Sequence, residues 1–436
     1  MKRIIFISAI ALASIALLSG CGGSKQSSDS GGKTKITFWA SPNPTQFQFW
    51  KSMAKDFEKK NPEITVNVTQ MKESPSSEAT IQSAIASKTA PTMSENINRS
   101  FAAQLADSKA ILPLNKQSGF NGIVKERNMV KTIGSWQFSD GSQYVLPMYS
   151  NPILFAWRLD TLKGLGINQV PKTYSELEHV AQIIKEKKID KVVWAKKDIG
   201  DTTAWMRWFD FFPLYNAASR GGSFVSDGKF NANFPAVEGV FGLMSSLAKS
   251  GALLTGAATD PFENGVSVMT DIGPWMFPIW SEKYPELKFG ENYTVTAPVV
   301  PDAMSDNKGA STYADAKGIV MYAQATKQEQ KAAMSFVNFV FSDEQNDLKW
   351  LEKTSLIPAR DDATTNVTFE NYFSKNPQMK VFGEYVPSAV PAMDNGKYND
   401  IQQVFGEKSW VPIVRGEKTP EKALADAKSA IKGALQ

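Results

Sequence analysis

The side chains best placed to do chemistry here are flat aromatics at the ends of short apolar runs, and the chemistry they offer is stacking. Trp275 is the clearest case. Residues 266–272, VSVMTDI, form a short, β-branched, apolar run that reads as a buried strand. Gly273-Pro274-Trp275 follows. Pro274 cannot donate to a ladder, so the strand ends there and presents a rigid indole, with Phe277 and Trp280 just beyond. Such a ring suits a ligand with one apolar face, although an arbitrary tryptophan is more often core. Trp39 stands in a comparable place, at the end of Lys35-Ile36-Thr37-Phe38-Trp39, with Ser41 and Asn43 in the turn after it.

Other chemistries find less support. His179 is the sole histidine, which rules out His-based metal sites and most His-dependent triads. It falls inside a helical pattern and reads as an ordinary helix residue. Glu263, Asp271 and Asp315 are acids of the kind a glycoside hydrolase needs, but nothing in the sequence pairs two of them across one sugar bond. The scattered glycines make no phosphate loop, and no cofactor is expected. Arg99, Lys72 and Arg360 keep open a phosphorylated ligand, which would need converging cations.

The elements that must hold these residues alternate between strand and helix. Lys35–Trp39 alternates as a strand, Phe47, Trp50, Met53, Ala54 and Phe57 recur at helical spacing, and Ile64–Val68 is a second strand. A strand–helix–strand unit implies a right-handed parallel pairing, and ligands of open α/β sheets sit at the carboxyl edge. Trp39, Ser41 and Asn43 lie at that edge, as do Gln70, Met71, Lys72 and Glu73 at the end of the second strand. A helix over 77–87, a strand over Met93–Ile97 and a helix over 102–110 follow. Thr173 or Ser175 can cap a helix with Glu176 in its first turn. Part of Trp205–Phe212 reads as helix, with Trp205 and Trp208 on one face and Arg207 paired to Asp210. Further helices are expected over 235–250, 331–341, 344–351 and from Thr419 onward, with strands over 293–300 and 318–322.

At the start of the chain, Lys2 and Arg3 precede an apolar stretch from Ile4 to Leu18, too short for a comfortable membrane span, and then Leu18-Ser19-Gly20-Cys21. This reads as a secretory signal over 1–20. Cys21 is the sole cysteine, so no disulfide within the chain is possible. Residues 21–33 are small and polar, a flexible tether. The rest, roughly 400 residues, is too long for one ordinary core and points to two domains. The formal net charge is +4, or +2 once Lys2 and Arg3 are removed, and both signs are interspersed, which argues against nucleic acid.

Taken in order, several stretches resemble the extracellular solute-binding proteins of bacterial ABC importers, the sugar-binding, maltose-binding-protein-like kind. Phe262 to Trp275 is similar to their F-x-x-G-x-x-x-M-x-x-x-G-P-W segment. Pro171–Leu177 resembles P-K-T-W-D-E-L, and Leu356–Asp361 resembles G-x-x-P-A-R-x-D with Ser355 in place of glycine. Ala90-Pro91 lacks the family's following acid, with Thr92 there instead. Gln143–Pro147 resembles Y-G-L-P with Val145 in place of glycine. Leu18–Cys21 looks like a lipobox. The resemblance implies an α/β, two-lobed periplasmic-binding-protein-like (type II) fold with a ligand cleft between the lobes and a three-crossing hinge. The crossings are expected near Met148–Asn151, Asp315–Ile319 and Arg360–Thr364. That gives lobes of 34–148 plus 319–360 and 151–315 plus 364–436.

The same resemblance implies function. Cys21 would carry the lipid that anchors the protein on the extracytoplasmic face of the cell membrane. Asn96, Asn98 and Arg99 fall where the family places polar sugar contacts, Trp205 or Trp208 where it places an aromatic one, and Tyr313 and Asp315 in its glycine-rich, ligand-facing loop. With Tyr149 at a crossing and Gly273 in the G-P-W turn, the expected site is Trp39, Ser41, Asn43, Lys72, Glu73, Asn96, Asn98, Arg99, Tyr149, Trp205, Trp208, Gly273, Trp275, Tyr313 and Asp315. A pyranose has apolar C–H faces for the rings and a rim of hydroxyls for the polar groups. The implied partners are a carbohydrate, probed against a glycerol phosphate as the alternative, and ABC permease subunits; the protein itself is expected as a monomer.

Overall fold

The computed structural model describes residues 32–436. The signal, Cys21 and most of the tether lie outside the described residues. Strand β1 (Thr34–Ala40) leads through helix α1 (Pro44–Lys60) to β2 (Ile64–Gln70), and the two strands pair in parallel, Phe38 opposite Val68. Asn43 caps α1, and Phe49, Trp50, Met53 and Phe57 form its buried stripe, as their spacing requires. Helix α2 (Ser77–Ala86) precedes β3 (Met93–Ile97), which joins the other side of β1 in parallel. Helix α3 starts at Arg99, three residues earlier than the apolar pattern suggests, because Asn98 accepts from the Phe101 N–H and sets the N-terminus.

The chain then reaches β4 (Leu146–Pro152) and, one residue later, β5 (Leu154–Arg158). These two belong to different sheets. Around β5 are gathered β6 (Val192–Ala195), β9 (Leu253–Leu254), β10 (Ser267–Ile272) and β11 (Tyr293–Thr296), in the order β11-β5-β10-β6-β9. A small hairpin of β7 (Val225–Ser226) and β8 (Lys229–Phe230) turns at Asp227-Gly228, both at positive φ. Strand β11 stops at Thr296, short of the expected reach to 300. The run beyond it carries Pro298 and Pro301, and its backbone is used elsewhere: Val300 exchanges bonds with Lys172 and Tyr174.

Strand β12 (Thr312–Met321) returns to the first sheet and β13 (Ala389–Val390) lies along its start, giving the order β13-β12-β3-β1-β2 with β4 on the other edge of β12. The sheets are mixed and covered by helices, so the protein is a two-lobed α/β molecule. Here the structure corrects one expectation. Tyr313 and Asp315 lie within a continuous strand, not in a loop before it, because β4 pairs with β12 from Ala314↔Pro152 to Ile319↔Leu146. Ile357–Ala359 runs beside β4, with Ser150 N–H donating to Ile357 O and Ala359 N–H to Met148 O. Three stretches of chain therefore pass between the lobes side by side.

The first lobe packs around Phe38, Trp50, Phe57 and Phe336. The second has one core around Phe211, Phe241, Phe405 and Trp410 and another around Trp280, Tyr293, Phe369 and Phe382. Of the two expected caps, Thr173 and Ser175, it is Thr173 that starts the helix Tyr174–Glu186, in a capping box with Glu176. Behind the crossings, buried Asp347 holds Arg127 at 2.8 Å and Arg360 at 3.2 Å, and Arg127 also donates to the carbonyls of Pro147 and Met148. This network fixes the point where β4 leaves the first lobe.

Candidate functional site

The floor of the cleft is the β4–β12 pair. Lys317 lies opposite Tyr149 and Asp315 opposite Asn151, so with the period of two Tyr313, Asp315 and Lys317 share one face. Tyr149 is buried and stacks on Trp350, centroids 6.2 Å apart at 22°. Lys317 Nζ donates to Asn96 Oδ1 at 2.9 Å. Asn96 has φ +69°, a left-handed conformation that asparagine tolerates and that turns the chain at the end of β3. Burial pushes the Asp315 carboxyl up, partly offset by Lys317. Beside Asn96, Glu95 is 1% exposed and accepts from the Ser41 N–H at 2.6 Å. Its burial lifts it to about 7.

The first-lobe rim is polar. A hollow of about 340 Å³ is lined by Glu73, Ser76, Glu78, Asn96, Asn98 and Lys317, among others. Asn43 and Asn98 each spend a side-chain oxygen on a helix cap. Ser41 is buried and its Oγ accepts from the Asn43 N–H at 3.3 Å. Trp39 is half-buried against the first core, and Lys72 is exposed beyond β2. Tyr398 comes from the second lobe; burial lifts its phenol to about 12, and the charge of Glu78 adds to the effect.

The second-lobe side is aromatic. Trp208 stacks on Tyr313 at 4.8 Å and 14° and meets Phe212 at 5.0 Å. Phe209 stands edge-on to both Trp275 and Tyr313, each at 6.2 Å. Trp275 lies against Gly273: a Cβ at 273 would sit 2.1 Å from its ring, so only glycine admits this pose. A hollow of about 290 Å³ opens here, lined by Lys196, Phe209, Asp271, Gly273 and Trp275. The side chain of Trp205 lies outside the described residues.

A third hollow, of about 270 Å³, joins the two sides and is lined by Arg99, Gln137, Trp208, Asn216, Tyr313 and Asp394, among others. Arg99 donates to the carbonyls of Ala392 and Gln137 and faces Asp394 at 3.8 Å. Its Nε is buried without a protein partner. Lys196 is paired with Asp271 at 2.5 Å. The cations that line these hollows on both lobes, Arg99, Lys196 and Lys317, therefore already face oxygens. Glu263 accepts from the Trp280 indole at 2.6 Å, so two of the three acids considered for hydrolysis, Glu263 and Asp271, are engaged by side chains of their own lobe.

The structure thus gathers Glu73, Asn96 and Asn98 at one hollow, Gly273 and Trp275 at a second, and Arg99, Trp208 and Tyr313 at a third. Sequence reasoning missed Lys196, Phe209, Phe212 and Lys317 as cleft residues, and the buried Glu95 beneath them. Two of these carried a usable signal: Lys196 directly follows a short apolar strand, just as Ser41 follows the run ending in Trp39 and Ala40, and Lys317 is two residues from Asp315 in one strand.

A family model for bacterial extracellular solute-binding proteins matches residues 52–381, and the chain belongs to that family. Among solved structures, an uncharacterized protein of Listeria monocytogenes EGD-e is 64% identical, with a TM-score of 0.91, over 93% of this chain and all 100% of that one. The cyclic α-maltosyl-1,6-maltose binding protein of Arthrobacter globiformis is 18% identical, TM-score 0.77, over 93% of this chain and 99% of that one. The sugar-binding protein MalE of the phytopathogen Xanthomonas citri is 18% identical, TM-score 0.73, over 92% and 97%. These last two share the fold.

Proposed function

We propose that this solute-binding protein captures a neutral oligosaccharide between its lobes and delivers it to the permease pair of an ABC importer. The observation that carries the reading is the opposition of an aromatic wall, Trp208, Phe209, Trp275 and Tyr313, to a rim of amide and carboxylate groups, Asn96, Asn98 and Glu73. Rings take the C–H faces of a pyranose and the rim takes its hydroxyls. Three hollows along the cleft favour a ligand of several units over a single sugar. These cations already face protein oxygens, which favours an uncharged ligand over a glycerol phosphate, because an anion would have to displace partners already in place. Capture needs no change of protonation state, so the protein acts as a binder and not as a hydrolase.

In this reading the lobes, 34–148 plus 319–360 and 151–315 plus 364–436, close about the crossings as ligand enters. Lipid on Cys21 holds the monomer at the extracytoplasmic face of the membrane, and residues 21–33 give it reach. The sugar-binding neighbours, though distant, agree with the assignment.

Thermal unfolding of the chain from Lys33, scanned against neutral mono- and oligosaccharides and glycerol phosphates, tests it. A ligand at one hundred times its dissociation constant adds about 2.7 kcal/mol. The reading expects a shift with a neutral oligosaccharide and no sugar released from it. A shift with phosphates alone, or turnover, would replace it.

A further inference from the structure

The aromatic wall rests on two ion pairs that the solute itself need not touch. Arg207 and Asp210, both fully buried, bracket Trp208 and Phe209 in sequence and are joined by two bonds of 2.7 and 3.0 Å. Lys196, the first residue after β6, reaches two further places. Its Nζ lies 2.5 Å from Asp271 Oδ2, near the end of β10, and donates to the carbonyl of Phe209 at 3.2 Å. Both ends of this pair are sheltered, with side chains 14% and 9% exposed. Asp271 is two residues before Gly273, on which Trp275 lies. One ammonium thus ties the ends of two parallel strands, β6 and β10, to the turn that carries Trp208 and Phe209.

We propose that Lys196, paired with Asp271, is a positioning residue for this wall: it fixes the Phe209 backbone and, through the edge-on contact at 6.2 Å, the plane of Trp275. A charge-assisted bond to a backbone carbonyl, made inside a sheltered pair, locks a turn more firmly than ring packing alone. Its importance for the solute rests on the wall being the face that meets the ligand. Its effect on Trp275 does not, and can be read without any ligand.

The test uses 5-fluorotryptophan labelling and fluorine NMR of the ligand-free protein, with the Trp275 resonance identified by its loss in Trp275→Phe. In the double variant Lys196→Met with Asp271→Asn, which removes both charges together, the Trp275 resonance is expected to shift or broaden. Those of Trp50 and Trp350, in the first-lobe core, stay where they are. Lys196→Arg, which keeps charge and donors, brings the Trp275 resonance back toward its original position. Asp271→Asn alone keeps the bond to Phe209, is the milder change for folding, and is expected to move the resonance less. An unmoved Trp275 resonance in both Asp271→Asn and the double variant overturns the proposal. So does a shift of Trp50 and Trp350 along with it, which marks general loosening. An oligosaccharide titration of the same samples then reports on the capture reading separately: loss of binding with Trp275 unmoved means that Lys196 contacts the ligand directly and does not position the wall.

Discussion

The two sides of the cleft are built by different means. On the first lobe, polar residues serve local structure: Asn98 at the rim caps α3, and Asn43 caps α1. On the second lobe, rings from distant parts of the chain meet, Trp208 with Tyr313 and Phe209 with Trp275, and buried ion pairs hold the turn between them. Such caps are local, and each is nearly independent of the other. A wall made of long-range contacts stands or falls as a unit. The prediction is a graded response on the first lobe and a cooperative one on the second.

The largest effect is expected at the foundation of the wall. Asp210→Ala leaves Arg207 buried and unpaired, and should cost about 3 to 5 kcal/mol in urea unfolding; a cost under about 1 kcal/mol would mean that the pair is not what holds the turn. Next comes the first-lobe floor. Burial lifts Glu95 from 4.5 to about 7. Between those values the folded chain keeps a proton that the unfolded chain has lost, so this carboxyl makes stability fall as pH rises across that window. Glu95→Gln, which keeps an acceptor for the Ser41 N–H, should flatten that slope and gain up to about 3 kcal/mol above it. An unchanged pH profile would contradict the buried-acid floor.

Trp275→Ala separates folding from binding. The ring is half-buried, so its removal should cost only about 1 to 2 kcal/mol of stability, below the roughly 3 to 5 typical of a core tryptophan. Oligosaccharide binding should weaken by about 2 kcal/mol, roughly thirtyfold. Thermal unfolding and calorimetry on one preparation separate the two. The smallest effect belongs to a single cap: Asn98→Ala should lose about 1 kcal/mol, and Asn98→Asp almost none. If Asn98→Ala matched Asp210→Ala, the rim would not be made of independent parts.

This division also explains what the sequence could convey. The first strand–helix–strand unit, the Asn43 and Thr173 caps and the periodic helices are legible because their causes lie within a few residues. Trp39 and Trp275 can be placed near a strand end by the same local logic, whereas Asn96 and Asn98 follow from the family resemblance. Lys196 with Asp271, 75 residues apart, and Trp208 with Tyr313 are contacts of tertiary origin, which no spacing announces. The Gly- and Ser-rich approach to Tyr313 and Asp315 looks irregular and points to a loop. Pairing with β4, more than 150 residues earlier, makes them strand. That pairing sets Asp315 in the cleft floor on the same face as Lys317, which reaches Asn96 of β3.

In the proposed function, a cleft with aromatic and polar sides captures an uncharged chain of several sugars. Titration calorimetry of the ligand-free protein with a series from glucose through maltotetraose, and with glycerol 3-phosphate, tests it most directly. Affinity is expected to rise with chain length, with a negative heat-capacity change from ring burial and no heat from the phosphate. Tighter binding of glycerol 3-phosphate than of any neutral sugar, or affinity that is flat beyond a single unit, would contradict it.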